Sequence, residues 1–296
     1  MPADDMTFAT YSSSPIFSKL IDIREFTLVA NVPPLFTWSD DKLSRKVADR
    51  IFEQLREVVR AARFYFDHEL KASVDADGVA VTYADDRYDF RVACSGSNIA
   101  IVRRGSSLSN FHAWYTALMP SAQGIVTNVA NILSQESGRK LDVIRASYRF
   151  RFLVYDIQAE NGDRKVRNSE IMRKLLNGFP DEKGKMTTDP AVLQTVSRAD
   201  VSVGRWIGPE HRRRLVRFSV EAPANMEWSS LWFEFTYGSE SYTSPDTGVR
   251  MEIGAEDVLA EYESAYIDFL RESAINGFLQ SLMTGYRFRT TSSEIP

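Results

Sequence analysis

The chain has a single cysteine, Cys94, and three histidines, His68, His112 and His211, in 296 residues. One cysteine excludes an intrachain disulfide and a thiolate-rich metal site built within one chain. Cys94 closes the strand-like run Phe90-Arg91-Val92-Ala93-Cys94, where a thiol serves as a small buried hydrophobe. The histidines stand alone, without the spacing that metal ligands need. His68 follows a helical pattern, where a cation suits the C-terminal dipole. No metal or catalytic role is expected for any of them.

Glycine-rich phosphate loops, dinucleotide fingerprints and Gly-x-Ser-x-Gly elbows are also missing. Ser95-Gly96-Ser97 and Gly105-Ser106-Ser107 are too short to be nucleophile motifs. No catalytic residue, metal or cofactor is expected. Asp85, Asp86 and Asp89 look like a carboxylate cluster but sit where a hairpin turn favours aspartate. No apolar run approaches the ~20 residues of a membrane span. Met1 to Ser14 is polar and lacks a signal-peptide core, so a cytoplasmic, membrane-free protein is expected. With 36 basic and 40 acidic residues the formal charge is −4, so nothing global favours nucleic acid.

Local order is plentiful. Ile21 to Val29 reads as a strand with imperfect alternation, stopped by Pro33-Pro34. Ser39-Asp40 caps a helix whose stripe is Leu43, Val47, Ile51, Leu55, Val58, Val59 and Ala62, ending near Phe66. Its polar face, with Glu53 and Glu57 spaced to pair with Arg56 and Arg60, is solvated. Strands are predicted over 78–83, 88–94 and 98–103, joined by tight turns. A helix over 109–135 carries Phe111, Trp114, Tyr115, Leu118 and Met119. Pro120 kinks or restarts it, and Gly138 ends it.

The second half repeats the order. Val143 to Ile157 is the clearest strand: Ile144, Ala146, Tyr148, Phe150, Phe152 and Val154 alternate onto one face. A short helix over 168–176 and a mobile loop over 177–197 follow. Strands over 200–206, 215–222 and 230–237 form a second meander. A terminal helix over 256–284 carries Val258, Leu259, Tyr262, Tyr266, Phe269, Leu270, Phe278, Leu279 and Leu282, with Glu256 and Asp257 in its first turn. The expectation is an α+β protein of two tandem βαβββα-like units, each an antiparallel meander covered by a long helix. The divisions are a flexible leader (1–15), a first unit (16–140), a second unit (141–289) and a tail (290–296).

The sharpest local signal is arginine. Arg145, Arg149 and Arg151 share one face of the 143–157 strand, and Arg213 and Arg217 extend the stripe if the strands pair. Guanidinium forks suit carboxylates and phosphates. The alternative is a solvated sheet face, or a ladder paired with Glu234, Glu221 or Asp156 on neighbouring strands. Trp228 and Trp232 flank a strand start and are a candidate exposed aromatic patch, against the alternative of core packing.

The stretch Phe111-His112-Ala113-Trp114-Tyr115 through Val143-Ile144-Arg145-Ala146-Ser147-Tyr148-Arg149-Phe150 resembles a sporadically distributed, uncharacterised bacterial family. That family places a long aromatic-bearing helix before a strand of Arg-x-x-x-Arg-Tyr character. Here Tyr148-Arg149 inverts the order, and Phe150 replaces a polar residue. The resemblance implies a bacterial cytoplasmic protein from a defence or mobile-element neighbourhood and carries over no functional residue.

The function expected is therefore non-enzymatic binding, with the sheet faces and the arginine stripe contacting a protein partner or an anionic ligand. A small-molecule binder with an apolar cavity under the long helix is a second expectation. A nucleic-acid binder through the arginine strands is a third and is not favoured. Self-association through helices or meander edges is expected as well.

Overall fold

The computed structural model describes residues 21–33, 41–61, 70–75, 78–85, 88–95, 97–154, 157–159, 179–180, 186–187, 199–207, 214–222, 231–239, 242–243, 248, 250–251, 254–274 and 286–288. Expectations for the leader, for His68, His211, Arg213 and Trp228, for the 168–176 helix and for most of the 177–197 loop fall outside them.

The first strand, β1 (Ile21–Asn31), is followed by helix α1 (Asp41–Ala61). Four strands come next: β2 (Leu70–Asp75), β3 (Gly78–Asp85), β4 (Tyr88–Ser95) and β5 (Asn98–Ser107). Helices α2 (Leu108–Leu118) and α3 (Ala122–Ser137) are joined by a short 3₁₀ turn over Met119–Ser121. Strand β6 (Arg145–Val154) opens the second half, and β7 (Ala199–Ile207), β8 (Arg214–Ala222) and β9 (Leu231–Gly238) form its meander. Helices α4 (Ala255–Ala260) and α5 (Tyr262–Ala274) complete it. Three small two-stranded pairings lie apart from the main sheet.

All the long strands join one antiparallel sheet in the order β7-β8-β9-β6-β1-β5-β4-β3-β2. Strands β1 and β6 lie side by side at its centre. Each pairs on its outer side with the last strand of its own meander, β5 and β9 respectively. The fold class is therefore α+β, an antiparallel sheet with helices.

Alternation in β1 and β6 sorts residues to two faces. Phe26, Leu28, Ala30, Ala146, Tyr148, Phe150 and Phe152 are buried on one. The β1–β6 register slips by one residue between Ile23 and Glu25. This bulge accounts for the broken sequence alternation, and Ile23 is buried as Phe26 is. Strand β6 begins only at Arg145, so Ile144, assigned by alternation to the core face, lies before the strand and is 56% exposed.

The described helices lie on that same face. Phe150 stacks on Phe269 of α5 with centroids 4.4 Å apart and rings 4° from parallel, and it meets Phe26 at 5.1 Å. Phe26 in turn packs edge-on against Trp114 and Tyr115 of α2. Val47, Ala48 and Ile51 of α1 and Ile125, Val129 and Leu133 of α3 extend the core over β2 to β5. Rings of this size each bury 150–250 Å², so this layer supplies the main driving force for folding.

The punctuation follows the sequence. Pro120 sits in the 3₁₀ turn that restarts the second long helix. Gly138 ends α3 at φ +67°, where its N–H bonds to the Ser134 carbonyl; a residue with a Cβ adopts that conformation at a cost. The terminal helix breaks at Glu261, whose N–H reaches the Val258 carbonyl instead of continuing the α pattern.

Candidate functional site

The sheet face opposite the helices is the candidate site. The strand register lays its residues in rows running across the strands, about 4.8 Å per strand and about 6.6 Å from row to row. The rows differ in chemistry.

One row is a charge ladder. Across β9, β6, β1, β5 and β4 the register sets Glu234, Arg151, Glu25, Arg104 and Asp89 opposite one another in turn. Arg104 Nε donates to Glu25 Oε2 at 3.2 Å. Thr236 Oγ1 donates to Glu234 Oε1 at 3.3 Å. Arg151, half-buried, stands between two carboxylates. Opposite charges directly across a strand pair stabilise modestly and neutralise one another.

The next row has no carboxylate. Arg149 faces Thr236 on one side and Thr27 on the other, and the row continues through Val102 to Arg91 and Thr82. Arg149 is exposed. Among the described residues, the buried Nε of Arg91 has no acceptor. Arg217 of β8 and Lys71 of β2 occupy register positions in the same row.

A row of small residues follows: Gly238, Ser147, Val29, Ala100, Ala93 and Ala80. Gly238 permits a close approach of β9 to β6, since a Cβ there would stand 2.9 Å from Ser147 Cβ. Beyond it, exposed Arg145 faces Asn31, whose Nδ2 donates to Asn98 Oδ1.

The arginine stripe read from the sequence thus divides. Arg145 and Arg149 are exposed, and among the described residues no carboxylate stands opposite them in the register. Arg151 belongs to the ladder opposite Glu234, one of the three carboxylates that the sequence offered as partners; Glu221 stands opposite Trp232, and Asp156 lies outside the described residues. Arg217 is in the Arg149 row, and Arg213 lies outside the described residues. Trp232 sits at a register position opposite Leu153 and Glu221, two residues from Glu234.

The helix-covered face holds the other polar atoms of note. Three tyrosine hydroxyls converge on the helix break. Tyr148 donates to the Leu259 carbonyl, Tyr115 to the Tyr262 carbonyl and Tyr237 to Glu261 Oε2, each at 2.7 Å. Burial pushes the Tyr115, Tyr148 and Tyr266 phenols above the usual tyrosine range. They stay protonated, and Tyr148 and Tyr115 donate to carbonyls that the helix break exposes. His112 Nδ1 lies 3.2 Å from the Tyr266 hydroxyl. Arg103, 5% exposed, places its guanidinium 4.7 Å over the Trp114 ring. Burial raises the Cys94 thiol to about 12, leaving it protonated and unreactive.

Between α1 and α3 lies a groove of about 570 Å³, lined by Asp49, Glu53 and Glu57 on one side and Asn128, Asn131 and Gln135 on the other. At its end Glu136 accepts from Lys46 at 2.8 Å and from Arg50 at 2.7 Å. These bonds, that of Lys46 foremost, hold its carboxyl below the ordinary glutamate value. Among the described residues, no group of three or more His, Cys, Asp or Glu side chains is placed to hold a metal ion. No helix among them is long and apolar enough to cross a membrane.

Fold and surface together define an α+β protein whose sheet is helix-covered on one face and carries ordered rows of charge on the other. No protein-family model matches the chain, and no curated protein matches it.

Proposed function

We propose that this chain is a non-enzymatic binding protein that holds an anionic partner on the helix-free face of its sheet, around Arg145 and Arg149. One observation carries this reading. Among the described residues, both exposed arginines of the central strand face amide or hydroxyl residues, Arg145 facing Asn31 and Arg149 facing Thr27 and Thr236, while Arg151 and Arg104 face carboxylates. An arginine fork without a counter-ion on its strand neighbours is poised for a carboxylate or phosphate from outside. The aromatic packing of the opposite face weighs against an apolar cavity under the long helix. There Phe150 is in ring contact with Phe269, Phe26 and Phe235.

The same proposal treats the chain as a tandem duplication. Supporting it, β1 and β6 occupy equivalent central places, and each ends its meander beside itself before a helix crosses the sheet. The family resemblance adds a bacterial cytoplasmic setting to the proposal.

The test compares wild type with R145A/R149A and with R139A/K140A, which removes the same charge from the end of α3. Binding is measured against poly-glutamate, inorganic polyphosphate and oligonucleotides. The proposal expects at least one polyanion to bind wild type and R139A/K140A alike and to lose R145A/R149A. Equal binding by all three proteins would overturn it.

A further inference from the structure

Resting on that reading, we infer that the occupant of the helix-free face is a single-stranded nucleic acid, lying across the strands in the trough between the Arg149 row and the Arg145 row. The floor of the trough is the small-residue row from Gly238 through Ser147, Val29, Ala100 and Ala93 to Ala80. Its described members from Ser147 to Ala80 are half-buried, so solvent reaches them. From β9 to β3 this floor crosses five strand spacings, about 24 Å. The two walls stand four residues apart along each strand, about 13 Å.

The walls match the parts of a polynucleotide. Arg149 and Arg145 stand on opposite sides of Ser147 on one strand, and both are exposed. Two such guanidiniums suit backbone phosphates, which supply most of the affinity of nucleic-acid binding. Arg91, further along the Arg149 wall, has a buried Nε without an acceptor among the described residues. The Asn31–Asn98 amide pair and Thr27 offer donors and acceptors together. Base edges use both kinds of group, whereas a carboxylate group by itself has acceptors only. A floor of Gly, Ser, Val and Ala lets a flat base approach the sheet closely.

Among the described residues, the register places the carboxylates nearest Arg145 and Arg149 in the adjoining ladder, and Asp75 stands in the Arg145 row only at its far end on β2. Glu25 and Glu234 sit in the adjoining ladder beside Arg151 and Arg104. The net charge of −4 is therefore no measure of the local field at the trough.

The test uses the full chain and fluorescein-labelled 20-nucleotide single strands of DNA and RNA, read by anisotropy at low salt. Poly-glutamate and a duplex of the same sequence serve as competitors. Single strands are expected to bind wild type and R139A/K140A, and R145A/R149A is expected to weaken binding at least tenfold. Each phosphate contact should contribute about −0.7 to the slope of log affinity against log salt. Circular dichroism melting of R145A/R149A shows whether the variant is folded. Because these are exposed side chains, an unchanged melt is expected. An A100W variant, which fills the floor without touching charge, should weaken binding as well.

The outcomes separate the two readings. If no oligonucleotide binds but poly-glutamate does, and R145A/R149A abolishes it, the inference fails while the anionic-partner reading stands. If no polyanion binds, both fail. Oligonucleotide binding unchanged in R145A/R149A and in A100W overturns the trough.

Discussion

The two faces of the same nine strands are built from opposite materials. On the helix side, β6 presents Tyr148, Phe150 and Phe152, all fully buried. One residue away in each case, on the other side, it presents Ser147, Arg149 and Arg151, exposed or half-buried. The backbone ladder is common to both faces, so the difference lies in side chains alone. The aromatic side should hold nearly all the stability that side chains confer, and the polar side should be open to substitution. A surface that contributes little to folding is free to be shaped for binding.

The largest effect is expected at the centre of the aromatic face. Phe150→Ala removes a ring that touches Phe269, Phe26, Phe235 and Tyr266 and should lower unfolding free energy by about 3–5 kcal/mol in a urea titration. A loss under ~1 kcal/mol would mean that the face is not the core. Next comes Gly238→Ala, where the new methyl meets Ser147 Cβ at 2.9 Å. Overpacking of this kind should cost about 1–3 kcal/mol, making Gly238 the exception on the polar side. Tyr148→Phe keeps the ring and removes the donor to the Leu259 carbonyl. It should cost about 1–2 kcal/mol, and amide exchange should rise locally at the α4–α5 break. Smallest is Arg104→Ala on the polar side. Its partner Glu25 is one-third exposed and its own side chain about half exposed, so solvent screening leaves less than ~1 kcal/mol.

Acid sharpens the contrast at a third place, the α1–α3 contact. Glu136 is bound by Lys46 and Arg50, and its folded-state carboxyl titrates below the ordinary glutamate value. A depressed carboxyl stabilises the fold above the unfolded-state pKa of about 4.3, and that stability is lost as pH falls through the folded value. Glu136→Gln should therefore lower the melting temperature at pH 7 and change it little at the acid end of that window. An equal drop at both ends would rule out the ion pairs as its source.

Much of this fold was legible in the chain. The strands of the second meander match the alternating runs within a residue or two, because period-2 patterning is local. Pro120 and Gly138 act where their backbone chemistry requires. Strand β2 was missed, since Leu70-Lys71-Ala72-Ser73-Val74-Asp75 offers only three apolar residues and draws its order from pairing with β3. The break at Glu261 carries no glycine or proline signal; the hydroxyls of Tyr148 and Tyr115, more than a hundred residues away, take the carbonyls beside it. The site was half legible for the same reason. Sequence puts Arg145, Arg149 and Arg151 on one face. Only long-range register reveals that Arg151 stands between Glu25 and Glu234 while Arg149 stands between Thr27 and Thr236.

The most direct measurement is thiol reactivity on the two faces. Cys94, 1% exposed and held protonated by burial, provides a silent background for single variants T27C and A100C on the polar face. Both engineered thiols should react with an aromatic disulfide reagent in the native state, while Cys94 reacts only after denaturation. Engineered thiols as inert as Cys94 would show that the face is covered, and would contradict its proposed role as the binding surface.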